Sequence, residues 1–192
     1  WREAGHRVHV VALDEGAGRL KLEVYCYEYD ALRQQALAGR GYEKMSYGGM
    51  LRHLRLGRQP QPEVEVAPGY TLRTTQGEDW DNCQRIADLL NAAFNRTIHN
   101  AAEFHNFVRQ APHYRDDLDL VAVAPDGSFA AYVGIYYEDR ERWAVFEPVC
   151  THPDHQRKGL ARALMNEGLR RLWAIGATDA IVDTGDMLAA NA

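Results

Sequence analysis

The run EPVCTHPDHQRKGLARALMNEGLRRL, Glu147 to Leu172, joins an extended segment to a helical one through a charged turn with a glycine at the joint. In Gln156-Arg157-Lys158-Gly159-Leu160-Ala161, Gly159 lets the backbone approach a ligand closely, and Ala161 keeps the helix start unobstructed. The free N–H groups of a first helical turn, together with the helix dipole, bind phosphate oxygens. Arg157, Lys158 and Arg162 add positive charge at the same end. The chemistry is that of a polyphosphate site made mainly from backbone. A Walker loop and a three-glycine dinucleotide fingerprint are both missing, which disfavours ATP and NAD.

The elements that position this joint follow from pattern. Leu160, Leu164, Gly168, Leu172 and Ile175 share a helical face, flanked by Ala161, Met165 and Leu169, so that face packs on a sheet and its first turn points past the sheet's edge. Trp143–Val149 reads as the strand leading in and DAIVDT as the strand leading out. Upstream, YTLRTT alternates as a strand. EDWDNCQRIADLLNAAF places Trp80, Ile86, Leu89, Leu90 and Phe94 on one stripe of a helix, with Trp80 and Phe94 expected in the core. Asn100 caps a second helix, and LDLVAVAPDGSFAAYVGIYYE reads as two strands joined at Pro125-Asp126-Gly127. The order predicts a mixed α/β (α+β) fold, a largely antiparallel sheet flanked by helices, feeding a strand-helix-strand crossover.

Ahead of this lies a strand over Arg19–Tyr29, a helix DALRQQALA with Asp30 as N-cap, and strands near GYEKM and at GGMLRHLRL. Three of the seven prolines fall between Pro60 and Pro68, the composition of a linker. The expected division is a first unit over 1–57, a linker over 58–69 and a second unit over 70–192.

Composition bounds the function classes. In 192 residues, 46% hydrophobic content is ample for a buried core, and no apolar run approaches the ~20 residues of a bilayer crossing. The start lacks a signal-peptide core, and three scattered cysteines build neither a disulfide framework nor a zinc cluster, so a reducing cytoplasm is the default location. A net charge of −5 argues against general nucleic-acid affinity.

VCTHPDHQRKGLARAL resembles the central motif of the GNAT superfamily of acyl-CoA-dependent N-acyltransferases, Q/R-x-x-G-x-G/A after a V-x-P-like strand end, with Gln156, Gly159 and Ala161 at the defining positions. The resemblance covers the element order from Tyr70 to Ala192. It implies a GNAT-like sheet splayed at the acyl-CoA site, acetyl-CoA as co-substrate, and direct transfer of acetyl to an amine. By position it implies that the backbone of Gln156, Arg157, Lys158, Gly159, Leu160 and Ala161 cradles the pyrophosphate. Val149 and Thr151 would offer backbone groups to the pantetheine arm, and a strand N–H at the splay would polarise the thioester carbonyl. Asn191 would open a helix flanking the cofactor. Acyl transfer needs a deprotonated amine, and Glu147, two residues before Val149 on the same strand, is expected on the same face as Val149. It is the candidate base, with pairing to an arginine as the equal alternative.

Other residues lose to plainer readings. His152 and His155 have i, i+3 spacing but no third ligand nearby, so no metal is expected and they read as solvated loop residues. Cys150 adjoins the acyl site but has no identifiable base. Tyr132, Tyr136 and Tyr137 alternate in a strand, where aromatics are more often core than pocket lining. The acceptor stays open among a small amine, an aminoglycoside, an amino acid and a protein N-terminus, and a homodimer stays open too. A non-catalytic acyl-CoA-binding or dimerisation module is the rival reading, and a phosphate-binding nucleotide module a third.

The chain opens at Trp1 and closes at TGDMLAANA, and the family's thiolate-protonating tyrosine would fall beyond Ala192. The expectation is a tandem protein running from the back of one GNAT-like unit to the front of a second, or else a permuted single domain. Leu37 stands where the first unit's tyrosine would be, so catalysis is expected in the second unit. Tyr25, Tyr27 and Tyr29 are the substitute acids to test.

Overall fold

Hydrophobic periodicity and side-chain caps set the helices of this protein. The computed structural model describes residues 11–14, 19–22, 24, 26–44, 50–57 and 62–184. They fall into two units, Trp1–Tyr47 and Gly48–Ala192. In the first, β1 (Val11–Asp14) and β2 (Arg19–Leu22) form an antiparallel pair, and α1 (Ala31–Ala38) starts at Asp30, whose side chain accepts from the Arg33 N–H at 3.0 Å. The strand anticipated over Arg19–Tyr29 ends at Leu22. Residues 26–29 instead turn into the helix, held by Gln34 Nε2 donating to the carbonyls of Tyr27 and Glu28. Residues 42–44 lie in no strand, and 45–49 are outside the described residues, as is Tyr25.

The second unit is built on a six-stranded sheet. Its strands are β3 (Met50–Arg55), β4 (Thr71–Thr74), β5 (Asp119–Val123), β6 (Phe129–Glu138), β7 (Trp143–Thr151) and β8 (Asp179–Thr184), in the spatial order β3-β8-β7-β6-β5-β4. All neighbours are antiparallel except β7 and β8, which are parallel as a strand-helix-strand crossover requires. β3 precedes the proline-rich stretch in sequence yet forms one edge, paired to β8 from Met50↔Thr184 to Arg55↔Asp179. The β5–β6 hairpin turns at Gly127, whose φ of 84° needs glycine, while Asp126 Oδ1 accepts from the Ser128 N–H.

Helices cover both faces. α4 (Leu160–Ala174) lays Leu160, Leu164 and Leu172 on Val133, Ile135, Ala144 and Phe146. Gly168 sits where an added Cβ would run into Ile135 Cδ1 and come within 2.9 Å of Phe146 Cε1, so this helix packs unusually close to the sheet. On the other face α2 (Trp80–Phe94) and α3 (Ala101–Gln110) bury Cys83, Ile86, Leu89, Phe104 and Val108 against Val121, Phe129, Tyr132 and Cys150. Both have side-chain N-caps, Asp79 and Asn100. Trp80 and Phe94 are not core: they are 55% and 39% exposed, at the two ends of α2, where Trp80 tilts against His105 and Phe94 lies under Arg96. The proline-rich stretch itself runs along α4, with Asn166 Nδ2 donating to the Glu63 carbonyl at 2.8 Å and Arg162 pairing with Glu65 at 3.6 Å. No described helix is long and apolar enough to cross a membrane.

Candidate active site

The parallel pairing of β7 with β8 runs from Trp143↔Asp179 to Phe146↔Val182 and stops. Beyond that point, among the described residues, β8 continues only with β3, while Val149, Cys150 and Thr151 continue only with β6. The sheet is therefore splayed between β7 and β8. At the same level a bulge sets two residues of β7, Glu147 and Pro148, against one of β6, Gly134.

The bulge decides which groups face the splay. The His152 N–H donates to the Ala130 carbonyl at 2.9 Å, and in an antiparallel ladder alternate residues turn their polar groups to the same neighbour. Cys150 therefore also bonds toward β6. The N–H and C=O of Val149 and Thr151 then point to the side that β8 has left. Pro148 has no N–H, so that of Val149 is the first amide past the bulge on the open side.

The bulge also overturns one expectation. Val149 pairs with Val133 and packs with the α4-side core, as do Phe146 and Ile135. Glu147 follows Phe146 and so falls on the opposite face, with Val145 and Tyr136. Simple alternation put Glu147 and Val149 together; the extra residue in β7 separates them by one flip. Glu147 is exposed. On its face, Tyr136 is driven up to about 12 by burial first and by the Glu147 and Asp119 carboxylates next.

From Thr151 the chain turns through a short 3-10 segment, Pro153–His155, into α4. Gly159 caps the helix with φ 74° and no side-chain hydrogen bond, and Arg157 is also left-handed at φ 63°. Among the described residues, no backbone N–H from Arg157 to Arg162 is taken up by another group; the first helical bond is Ala163 N–H to the Gly159 carbonyl at 3.0 Å. Gln156, Arg157, Lys158 and Gly159 are exposed, Ala161 is half-buried and Leu160 anchors the turn in the core at 2% exposure. An uncapped donor cluster with Arg157 beside it has the chemistry to hold a polyanion. Lys158 contributes less free charge than its position suggested. Its Nζ donates to the Asp154 carbonyl at 3.1 Å and lies 5.7 Å from the Tyr70 ring centre. His155 is not simply solvated either, since its Nδ1 is 2.9 Å from the Tyr70 hydroxyl, while His152 Nδ1 accepts from the Asp154 N–H. Asn191 lies outside the described residues.

Sequence reading missed a polar cluster behind the bulge. Asp119, 3% exposed, takes hydroxyl hydrogen bonds from Thr75 and from Tyr114 (3.0 Å) on one oxygen and from Tyr132 (2.7 Å) on the other. Burial pushes the Asp119 carboxyl up, against the pull of the three hydroxyls, and raises the Tyr132 and Tyr114 phenols as well. The three strand tyrosines divide: Tyr132 and Tyr136 face α2 and α3, whereas Tyr137 is buried on the α4 side.

Splay, bulge and uncapped helix start coincide with a sequence match: the Acetyltransferase (GNAT) family profile aligns with residues 83–190. The chain belongs to the GNAT acetyltransferase family. Solved structures share this GNAT architecture. A GCN5-related N-acetyltransferase from Sphaerobacter thermophilus matches with TM-score 0.67 at 17% identity over 82% of this chain and 49% of its own. A tandem GNAT protein from the clavulanic acid biosynthesis pathway matches with TM-score 0.62 at 17% identity, over 84% of this chain and 54% of its own. Saccharomyces cerevisiae N-myristoyltransferase, solved with bound myristoyl-CoA, matches with TM-score 0.53 at 11% identity, over 68% of this chain and 34% of its own. At these identities the likeness is one of fold. The chain spans about half the length of the first two structures. No curated protein matches it.

Proposed function

We propose that this chain carries the acyl-CoA site of an N-acyltransferase, which moves acetyl from acetyl-CoA to a primary amine by direct attack. The observation that carries the reading is the continuity of backbone donors, from the outward groups of Val149 and Thr151 at the splay to the N–H groups of Arg157 to Ala161, which have no partner among the described residues. A pantetheine arm fits the first and a pyrophosphate the second. Gln156 and Leu160 shape the turn and Arg157 adds charge; Asn191, outside the described residues, is assigned to the cofactor by the family resemblance alone.

In the reaction the amine lone pair adds to the thioester carbonyl carbon, and the carbonyl oxygen gathers the charge. The Val149 N–H is the donor in reach of that oxygen. As the intermediate collapses, the C–S bond breaks and the electron pair leaves with the CoA sulfur, while the amine proton passes to Glu147 directly or through a water. Glu147 suits the task because the bulge sets it on the α2/α3 face, so the base acts from the acceptor side.

The test is an acetyl-CoA titration of the protein followed by thiol release over a panel of small amines, aminoglycosides, amino acids and peptide N-termini. Release with one class confirms transfer and names the acceptor. Saturable binding without release from any amine replaces transfer with a binding module, and ATP outcompeting CoA replaces both with a nucleotide site.

A further inference from the structure

The spot that a Cβ of residue 134 would occupy is crowded from three sides. It lies 2.9 Å from the Glu147 carbonyl oxygen, 3.0 Å from the Tyr132 hydroxyl and 3.3 Å from Pro148 Cδ. The Tyr132 hydroxyl and the Glu147-Pro148 peptide thus close on the same small space over Gly134, the residue that the bulge is set against. The hydroxyl is held there from behind by its 2.7 Å hydrogen bond to Asp119 Oδ1, while Thr75 and Tyr114 hold the other carboxylate oxygen. Phe104 packs edge-on against the Tyr132 ring, with centroids 6.1 Å apart.

This arrangement is costly unless it does something, because a carboxylate at 3% exposure loses its hydration and regains only hydroxyl partners. An apolar pair would fill the same volume. What the polar pair adds is a fixed point: a hydroxyl held beside Gly134 is placed to limit the displacement of the β7 backbone at residues 147 and 148. That displacement in turn fixes which face Glu147 takes and where the Val149 N–H points.

We infer that Tyr132 and Asp119 are positioning residues for the acyl site, acting through the bulge at Gly134 and Glu147-Pro148 to set the Glu147 carboxylate and the Val149 N–H on opposite sides of the reacting carbonyl. Neither touches substrate. The inference rests on the proposed acyl-CoA site for its functional meaning, but the positioning itself is measurable without it.

The experiment is Tyr132→Phe in the full chain, which keeps the ring that fills the core against Phe104 and removes only the hydroxyl. Backbone amide resonances of Val149 and Thr151 are compared with those of Leu160 and Ala161, alongside CoA affinity and turnover with a working amine. The expected result is displaced Val149 and Thr151 signals with Leu160 and Ala161 unmoved. CoA affinity stays within about twofold, and kcat falls on the order of tenfold at unchanged KM for acetyl-CoA, as for a misplaced reacting group. Unmoved Val149 and Thr151 signals overturn the inference, as does a variant that merely melts earlier with kcat intact. If the unaltered protein binds no CoA, the functional reading falls while the amide signals still decide whether the pair sets the bulge.

Discussion

The hydroxyl of Tyr70 lies 2.9 Å from Nδ1 of His155, tying the residue just before β4 to the turn that leads into α4. Lys158 Nζ rests over the same tyrosine ring, so one side chain braces the turn before α4 at two points. Tyr70→Phe removes the hydrogen bond and keeps the ring. It should cost about 0.5–1.5 kcal/mol of stability and weaken CoA binding a few-fold. Tyr70→Ala loses both braces and should weaken binding further. Equal CoA affinities for all three proteins by calorimetry would show that the loop holds its shape unaided.

Gly159 at φ 74° has no atom nearer to a built Cβ than Arg162 Nη2 at 4.0 Å, so the protein itself has room for a side chain. The obstruction is conformational, about 1–2 kcal/mol for an L-residue in this region, and steric toward whatever approaches the first-turn donors. Gly159→Val should fold with a modestly lower melting temperature and lose CoA affinity at least tenfold. A folded variant with normal affinity would place the polyanion elsewhere.

How much of this was legible in sequence depends on the range of the interaction. Asp79 and Asn100 announced their helices because a cap acts three residues away, and Pro125-Asp126-Gly127 announced its hairpin for the same reason. Gln156, Gly159 and Ala161 are equally local. The bulge was not legible, since it exists only as two residues of one strand against one of another, and alternation gave Glu147 the wrong face. The Asp119 cluster joins Thr75, Tyr114 and Tyr132 across a helix pair and a hairpin, and nothing near any of them marks the meeting. The pairing of β3 with β8 spans the whole second unit.

Gly168 is a second glycine with a definite task. Alanine there would gain about 1 kcal/mol of helix propensity, but its Cβ would collide with Ile135 and Phe146, both at most 4% exposed, so that a packed core must shift to admit it. Overpacking of this kind costs about 1–3 kcal/mol, and strain should win. Gly168→Ala is expected to melt several degrees lower, roughly 2–4 °C per kcal/mol for a chain of this size. A stabilised variant would show that α4 can lift off the sheet freely.

Glu147 stands on the α2/α3 face, away from the donors proposed for the cofactor, so under the proposed mechanism its loss should separate chemistry from binding. Glu147→Gln is expected to keep CoA affinity and lose turnover by about 10²–10⁴-fold, the usual contribution of a general base. Raising the pH should recover part of the rate, because more of the amine then arrives already deprotonated. Near-normal turnover at neutral pH would remove Glu147 from the mechanism.

Cys150 lies one residue from Val149 and invites a covalent acyl-enzyme, which its burial disfavours. It is 7% exposed, and burial pushes its thiol up from an ordinary 9.0 to about 12, with only a backbone hydrogen bond pulling back. At pH 8 about one molecule in ten thousand then carries the thiolate, the only nucleophilic form. Cys150→Ala should therefore retain turnover within a few-fold, and no acetylated Cys150 should accumulate with acetyl-CoA alone. Because the folded thiol holds its proton more tightly than the unfolded one, stability should fall as pH rises from about 9 toward 12, and the alanine variant should show a shallower decline. In the folded protein Cys26, which is only half-buried, should alkylate well before Cys150 or Cys83. Rapid labelling of Cys150 at pH 8, followed by loss of activity, would reopen the covalent route.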